Sequence, residues 1–86
     1  MQRGWVGSPN YRSVIEAVSK TRQSLGIPQR ELARRLGKPP SFINKIEQLE
    51  RRLDVLEFIA IAKALNINPT DLLKTAMSML PDQFEI

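Results

Sequence analysis

The segment PQRELARRLGKPPSFINKIEQ, residues 28–48, restricts the possible folds of this chain more than any other stretch. Within it, Ala33 precedes Gly37 by four positions, and Ile43 and Ile46 follow after two prolines. Two helices that cross at a steep angle through a short turn need a small residue at the crossing and a turn residue that tolerates positive φ. Ala33 and Gly37 meet these needs, and the two isoleucines present apolar side chains to the preceding helix. The spacing therefore predicts a helix-turn-helix.

The rest of the chain also shows helical periodicity, and no stretch alternates convincingly as a strand would. We expect an all-α fold of five short helices. The apolar residues expected in these helices are, in chain order, Val14, Ile15, Val18 and Leu25; Leu32, Ala33 and Leu36; Ile43 and Ile46; Leu56, Ile59, Ala60, Ala62 and Leu65; and Leu72, Leu73 and Ala76. The expected boundary residues are Asn10 and Gly26, Pro28 and Gly37, Ser41, the capping pair Asp54 and Glu57, and finally Asn68, Pro69, Asp71 and Pro81.

The composition limits the chemistry that the chain can perform. A length of 86 residues gives room for one small domain. The chain has no cysteine and no histidine, which removes thiolate metal sites and the usual general base at neutral pH. No carboxylate cluster and no glycine-rich phosphate loop compensate for this. We therefore predict that the protein is not an enzyme and that it needs no metal or cofactor.

Charge is distributed unevenly along the sequence. The net charge is +4, but residues 1–27 carry +3, residues 28–52 carry +4 and residues 53–86 carry −3. A basic front with an acidic back suggests one side that faces a polyanion. An unevenly charged surface without a polyanionic partner explains the distribution equally well.

Three segments are expected along the chain: an N-terminal arm at 1–9, a helix-turn-helix domain at 10–76 and a C-terminal tail at 77–86. The arm is expected to be flexible unless Trp5 docks on the domain. No apolar run approaches the length of about 20 residues that spans a membrane. The N-terminus also lacks an apolar signal-peptide core, so we expect a cytoplasmic protein without a membrane partner.

Residues 12–74 resemble the Cro/phage-repressor type of helix-turn-helix domain, the xre-like or lambda-repressor-like family. The resemblance is carried by PQRELARRLG, by the Ile-Glu pair at 46–47, by the following ERRLDV and by AIAKALNINPTDLL. Any one of these motifs is weak, but the ordered set is specific. It implies a compact five-helix domain that binds double-stranded DNA through helices 2 and 3.

The resemblance also implies which residues contact DNA. Phosphate contacts are expected from Gln29, Lys38, Arg51 and Arg52, and the outward positions of a recognition helix at 40–48 would be Pro40, Ser41, Asn44 and Lys45. Asn44 can pair with adenine, and Lys45 can donate to guanine or to a phosphate. The hydroxyl of Ser41 suits either base or phosphate, whereas Pro40 offers only an apolar contact. Phe42 falls between the two faces and is expected to be mainly structural.

The family often pairs an arginine at the position of Arg22 with the glutamate that is Glu47 here. We expect a partly buried, bidentate pair joining helix 1 to the recognition helix, against the alternative of two solvated charges. Two positions depart from the family pattern. Lys38 replaces an apolar residue that usually plugs the turn, and Leu49 stands where glycine usually ends the recognition helix. Residues 48–50 therefore either extend that helix or form a loop anchored by a buried Leu49.

The tail is rich in apolar side chains, and a small five-helix core has little room for all of them. We expect some to be buried in a second copy, so that a homodimer reads two half-sites one DNA turn apart. The expected interface residues are Leu73, Met77, Leu80 and Phe84. The alternative is a tail that folds back on its own domain or is disordered.

Two functional hypotheses follow. The favoured one is a sequence-specific transcriptional regulator, most simply a repressor that binds a palindromic operator as a homodimer. The alternative is a protein-interaction module on the same fold, such as an antitoxin or adaptor, in which DNA reading is secondary. No small-molecule effector is evident from the sequence.

Overall fold

Side chains from five helices meet in one hydrophobic core in the computed structural model, which describes residues 8–84. The helices are α1 (Pro9–Ser24), α2 (Gln29–Arg35), α3 (Phe42–Glu47), α4 (Val55–Ala64) and α5 (Pro69–Ser78). Residues 8–84 contain no strand, and the predicted all-α, five-helix architecture is confirmed. The fully buried large side chains are Leu32, Ile43, Ile46, Ile61 and Leu72.

Most helix ends follow from local hydrogen-bonding chemistry. The predicted capping box of α4 is present, with Asp54 accepting from the Glu57 backbone and Glu57 accepting from the Asp54 backbone. Asn68 caps α5 by accepting from the backbone N–H of Thr70, and Pro69 occupies the first helical position. These positions satisfy backbone donors that the first turn of a helix leaves without partners.

The start of α1 differs from the prediction. Ser8, not Asn10, is the N-cap, and its hydroxyl accepts from the backbone N–H of Tyr11 at 3.3 Å. Pro9 is therefore the first helical residue, a position where its missing N–H costs nothing. The predicted arm at 1–9 contributes its last two residues to the helix start. The remaining arm residues, 1–7, fall outside the described residues, and so does the expectation that the arm is flexible unless Trp5 docks.

Four positions predicted on the inner helix faces are exposed, namely Leu25, Leu56, Ile59 at 36% and Leu73 at 48%. Leu25 is 46% exposed, because α1 ends at Ser24 and the chain turns away through Gly26 at φ +70°. Leu56 is 76% exposed, and Ile61 and Ala62 are the fully buried residues of α4. The α4 sequence VLEFIAIAKA is apolar almost all round. Periodicity within this helix consequently does not decide which side faces the core.

The order of packing leaves α3 at the edge of the domain. Helix α1 packs against α5 and α3, and α2 packs against α3 and α4. Helix α3 buries Ile43 and Ile46 between these neighbours. Its other side is left facing outward.

The chain leaves α3 through a left-handed residue. Leu49 has φ +63°, and its side chain is half-buried against the core. The backbone N–H groups of Glu50 and Arg51 both donate to the carbonyl oxygen of Lys45, at 2.8 and 3.2 Å. Helix α3 is therefore not extended through residues 48–50, and burial of Leu49 anchors the loop.

Candidate nucleic-acid interface

The turn between α2 and α3 is closed by backbone hydrogen bonds. Gly37 takes φ +68°, and the N–H of Lys38 returns to the carbonyl oxygen of Ala33 at 2.9 Å. Ala33 is completely buried at the crossing of the two helices. The N–H of Phe42 donates to the carbonyl oxygen of Pro39 at 3.0 Å, and α3 starts at Phe42, one residue after the two prolines. This turn fixes the direction in which α3 presents its outer side.

The outer side of α3 is polar and exposed. Asn44 and Lys45 lie on this side of α3, Pro40 and Ser41 directly precede the helix and Gln48 follows it. All five side chains are exposed, and they include the four expected base-reading residues. Within residues 8–84, no hydrogen bond or ion pair engages the side chains of Asn44 and Lys45. Their amide and ammonium groups are thus available to a ligand that approaches this side.

Glu47 lies on the opposite edge of α3, where four donor atoms meet its carboxylate. Arg22 contributes Nε to Oε2 at 2.8 Å and Nη2 to Oε1 at 2.9 Å. Ser19 Oγ donates to Oε1 at 3.1 Å, and Gln29 Nε2 donates to the same oxygen at 2.8 Å. The structure thus brings Arg22 and Glu47 together in a bidentate pair and adds two partners that the sequence analysis did not include. The cluster connects α1, α2 and α3.

The charge state of this cluster follows from its contacts. Burial alone raises the pKa of Glu47, but hydrogen bonds from Arg22, Gln29 and Ser19 and the positive charge of Arg22 outweigh it. The net result is a pKa below the ordinary glutamate value. The remaining guanidinium nitrogen of Arg22 donates to the Ile27 carbonyl at 2.9 Å. Every nitrogen of this largely buried arginine therefore has an acceptor.

Gln29 opens α2, and its side chain is turned toward α3 by the bond to Glu47. That bond uses one of the two hydrogens on the amide nitrogen. The second hydrogen of this amide nitrogen can be donated to a phosphate oxygen. The position at the start of α2 is the one that the resemblance implies, but the bond to Glu47 was not expected.

Phe42 joins two of the expected phosphate-contacting residues. Its half-buried ring packs against the core, while the guanidinium of Arg51 lies 4.8 Å and the ammonium of Lys38 5.4 Å from the ring centre. Cations at these distances are attracted to the face of an aromatic ring. The structural role expected for Phe42 thus includes holding two cations close to α3.

Arg51 also makes a bidentate ion pair with Glu57, at 2.9 and 2.6 Å. The hydrogen bonds from Arg51 lower the pKa of Glu57, which also serves as the capping-box residue of α4. The loop after α3 is thereby tied to the start of α4. Because its guanidinium is engaged with a carboxylate, Arg51 has less free capacity for a phosphate than the sequence suggests.

Arg52 points to a different part of the surface. Its guanidinium lies 4.9 Å from the ring centre of Tyr11 in α1, and the Tyr11 hydroxyl accepts from the Leu53 N–H at 3.0 Å. The side chain is exposed. The structure therefore separates Arg51 and Arg52, which the sequence treats as one pair.

One basic residue was missed by the sequence analysis. Arg30 is exposed beside Pro40 in a shallow depression that also contains Pro28, Glu31 and Arg34. Arg34 and Arg35 both donate hydrogen bonds to the carboxylate of Glu31. These hydrogen bonds lower the pKa of Glu31 to about 2. Arg30 directly follows Gln29 in the first turn of α2, and that position is the sequence signal that could have identified it.

The residues proposed for a dimer interface form no site within the monomer. Leu73, Met77 and Phe84 are exposed, and Leu80 is half-buried. Further exposed apolar side chains are those of Val55 and Leu56 in α4 and of Met79 directly after α5.

The described part of the chain offers no group of three or more side chains that suits a metal ion. None of the helices within residues 8–84 is both long and apolar enough to cross a membrane.

The fold and this exposed polar helix together define a helix-turn-helix DNA-binding protein. A helix-turn-helix family model matches residues 18–72. The chain also matches an XRE-family like protein from Pseudomonas syringae pv. tomato strain DC3000, with 40% identity and a TM-score of 0.75 over 84% of this chain and 88% of that one. It belongs to the XRE-family helix-turn-helix proteins, and membership of this DNA-binding family supports double-stranded DNA as its partner.

A second solved structure shows the same fold at lower identity. The clp gene regulator ClgR from C. glutamicum is 20% identical, with a TM-score of 0.73 over 86% of this chain and 96% of that one. A search of curated proteins finds no match. The family identification points to a protein that acts by binding rather than by catalysis.

Proposed function

We propose that this protein is a cytoplasmic repressor that binds a palindromic operator as a homodimer, with α3 in the major groove. The observation that carries the proposal is the pair Asn44 and Lys45, which are exposed side by side on a helix whose other side is buried. A major groove about 12 Å wide admits an α-helix, and its base edges present acceptors and donors that these two side chains match. Occupancy of an operator by such a domain is sufficient to exclude a competing protein from the same DNA.

Phosphate contacts would hold α3 in register. The expected phosphate contacts come from both sides of α3 in the sequence: Gln29 at the start of α2, Lys38 in the turn and Arg52 after α3. We add Arg30, which lies beside Pro40, to this set. Such contacts fix the orientation of a protein on the duplex without reading its sequence. Arg51 remains in the proposal mainly as a residue that orders the loop, since it is paired with Glu57.

The homodimer is supported by the exposed apolar residues of α5 and the segment that follows it. Leu73, Met77 and Phe84 expose roughly half or more of their surface, which is unusual for large apolar side chains in one small domain. A second copy that covers them would place two α3 helices on one duplex. Half-sites would then lie about one DNA turn, or 34 Å, apart.

The competing function is a protein-interaction module, such as an antitoxin or adaptor. The same apolar residues favour it, since a partner protein can cover them as well as a second copy can. The two functions differ in whether activity requires the exposed side chains of α3. An interaction module would tolerate loss of Asn44 without losing its activity.

Selection of duplexes from a random-sequence pool by the purified protein tests the proposal. It should be combined with sedimentation of the free protein at tens of micromolar. A palindromic consensus together with a dimer is expected. A partner-binding protein that retains no duplex even at low salt would contradict it, and sedimentation as a monomer alone would remove the homodimer.

A further inference from the structure

Two cationic side chains from different parts of the chain lie close to the ring of Phe42. The ammonium of Lys38, in the turn before α3, is 5.4 Å from the ring centre, and the guanidinium of Arg51, in the loop after α3, is 4.8 Å from it. Phe42 is the first residue of α3, and its half-buried ring packs against the core. A cation held at this ring therefore keeps a defined position relative to the recognition helix.

The two cations differ in the donors that they have left for a ligand. Arg51 donates to both carboxylate oxygens of Glu57, at 2.9 and 2.6 Å, and to the carbonyl oxygen of Arg52 at 3.1 Å. The side chain of Lys38 is exposed, and within residues 8–84 its ammonium makes no hydrogen bond or ion pair. An ammonium carries three N–H donors. Of the two cations at the ring, Lys38 is thus the one that is available to bind an anion.

We propose that Phe42 is a positioning residue for DNA binding, whose ring holds the ammonium of Lys38 where it contacts a phosphate of the duplex beside α3. This inference rests on the proposed function, because it requires α3 to bind duplex DNA. Phe42 needs no contact of its own with the DNA in this role. It acts through Lys38, and it ties a phosphate contact, which carries no sequence information, to the helix that carries Asn44 and Lys45.

The physical reason is the cost of ordering a long side chain. A lysine that is fixed only when the complex forms loses rotamer freedom at that moment, and this loss weakens binding. A cation close to the face of an aromatic ring is already restrained, although the attraction at an exposed site is weak enough to leave the ammonium accessible. Glu57 neutralises Arg51, so Lys38 shares the ring with a paired rather than a free positive charge.

The test is a double-mutant cycle on DNA affinity, with Phe42→Leu, Lys38→Ala and the combination of the two. Fluorescence anisotropy measures binding to a labelled duplex of one arbitrary sequence at low salt, where phosphate contacts supply the affinity. Phe42→Leu removes the ring without removing a charge. We expect it to lower affinity about threefold on its own, and to have no further effect when Lys38 is already alanine. Lys38→Ala should lower affinity at least as much.

Two control variants separate positioning from packing. Phe42→Tyr keeps the ring and should bind like the native protein. Phe58→Leu makes the same change as Phe42→Leu at another half-buried phenylalanine that packs against the core, in α4. It should lower stability but leave affinity unchanged. Far-ultraviolet circular dichroism and thermal melts establish that each variant is folded at the temperature of the titration. Should Phe42→Leu be unfolded, Phe42→Met replaces it.

The outcomes are distinguishable from a failure of the proposed function. The inference is overturned by native affinity of Phe42→Leu or of Lys38→Ala, by an equal effect of Phe42→Leu with and without Lys38, or by an equal loss in Phe58→Leu. In each of these cases the native protein still binds the duplex. A native protein that binds no duplex at low salt instead contradicts the proposed function, and this inference with it.

Discussion

The guanidinium of Arg22 and the carboxylate of Glu47 form a bidentate ion pair in which each side chain is only 9% exposed. The pair connects α1 to the recognition helix α3. Gln29 and Ser19 donate to the same carboxylate, so α2 is held by the same group. The orientation of the proposed DNA-reading side thus depends on one charged cluster at the rim of the core.

Removing Arg22, the positive partner of Glu47, should lower the stability of the fold substantially. We expect Arg22→Ala to lower the free energy of unfolding by about 3 kcal/mol, because it leaves a buried carboxylate without its counter-charge. That is a large share of the roughly 5–15 kcal/mol that stabilises a domain. Urea denaturation of the two proteins measures the difference.

The matched control is Arg34→Ala, which breaks an ion pair with Glu31 on the surface of α2. Its arginine is largely exposed, so we expect a loss of less than about 1 kcal/mol. Equal effects of the two substitutions would show that the Arg22–Glu47 pair contributes no more than a surface pair.

Stability should fall in acid partly through Glu47. Its pKa is lower in the folded protein than in the unfolded chain, so its contribution is fully present above the ordinary glutamate pKa of about 4.3. The contribution is lost as the pH falls through the folded value. We expect the stability difference between the native protein and Glu47→Gln to shrink steadily below about pH 4.5. Unfolding free energies measured from pH 7 to pH 3 test this, and parallel curves would contradict it.

Leu49 should be a strained position. Its φ of +63° costs an L-residue about 1–2 kcal/mol. Both Leu49→Ala and Leu49→Gly lose the packing of the leucine side chain, but glycine alone relieves the backbone. We therefore expect the glycine variant to be more stable than the alanine variant by about 1 kcal/mol in chemical denaturation.

At an ordinary helical position, the alanine variant should instead be more stable than the glycine variant. Gln23 is exposed within α1, and there the glycine variant should be the less stable of the two by about 1 kcal/mol. A more stable alanine variant at both positions would mean that Leu49 carries no backbone strain.

Arg52 should act on DNA affinity without acting on specificity. We expect Arg52→Ala to weaken binding to operator and random duplexes by the same factor and to reduce the slope of log affinity against log salt by about 1. Titrations at several salt concentrations measure both quantities. The control is Lys74→Ala, which removes an exposed charge from α5 and should leave the slope unchanged. A loss confined to the operator would instead assign a base contact to Arg52.

The sequence predicts the fold well where spacing and chemistry act locally. Ala33, Gly37, Ile43 and Ile46 are constrained by the crossing of two helices, and all four occupy the expected positions. The capping residues of α4 and α5 are equally local. In contrast, α4 is apolar around most of its circumference, so only packing against the other helices determines that Ile61 is inside and Leu56 outside.

The candidate site is predictable only in part. The helix and its outer positions follow from the resemblance, but the exit at Leu49 does not, since leucine disfavours a left-handed backbone. Burial of its side chain and the two bonds to the Lys45 carbonyl hold it there. The contacts of Arg51 with Glu57 and Phe42 depend on this turn. They could not be inferred before the path of the chain was known.

The most direct test of the account is a base-pair scan of one operator half-site with the native protein and with Asn44→Ala. Each half-site position is changed in turn, and the affinities of both proteins are measured by fluorescence anisotropy at fixed salt. We predict that the variant loses about 1–3 kcal/mol of discrimination at one base pair and keeps it at the others. Identical discrimination profiles for the two proteins would contradict the assignment of the outer side of α3 to the major groove.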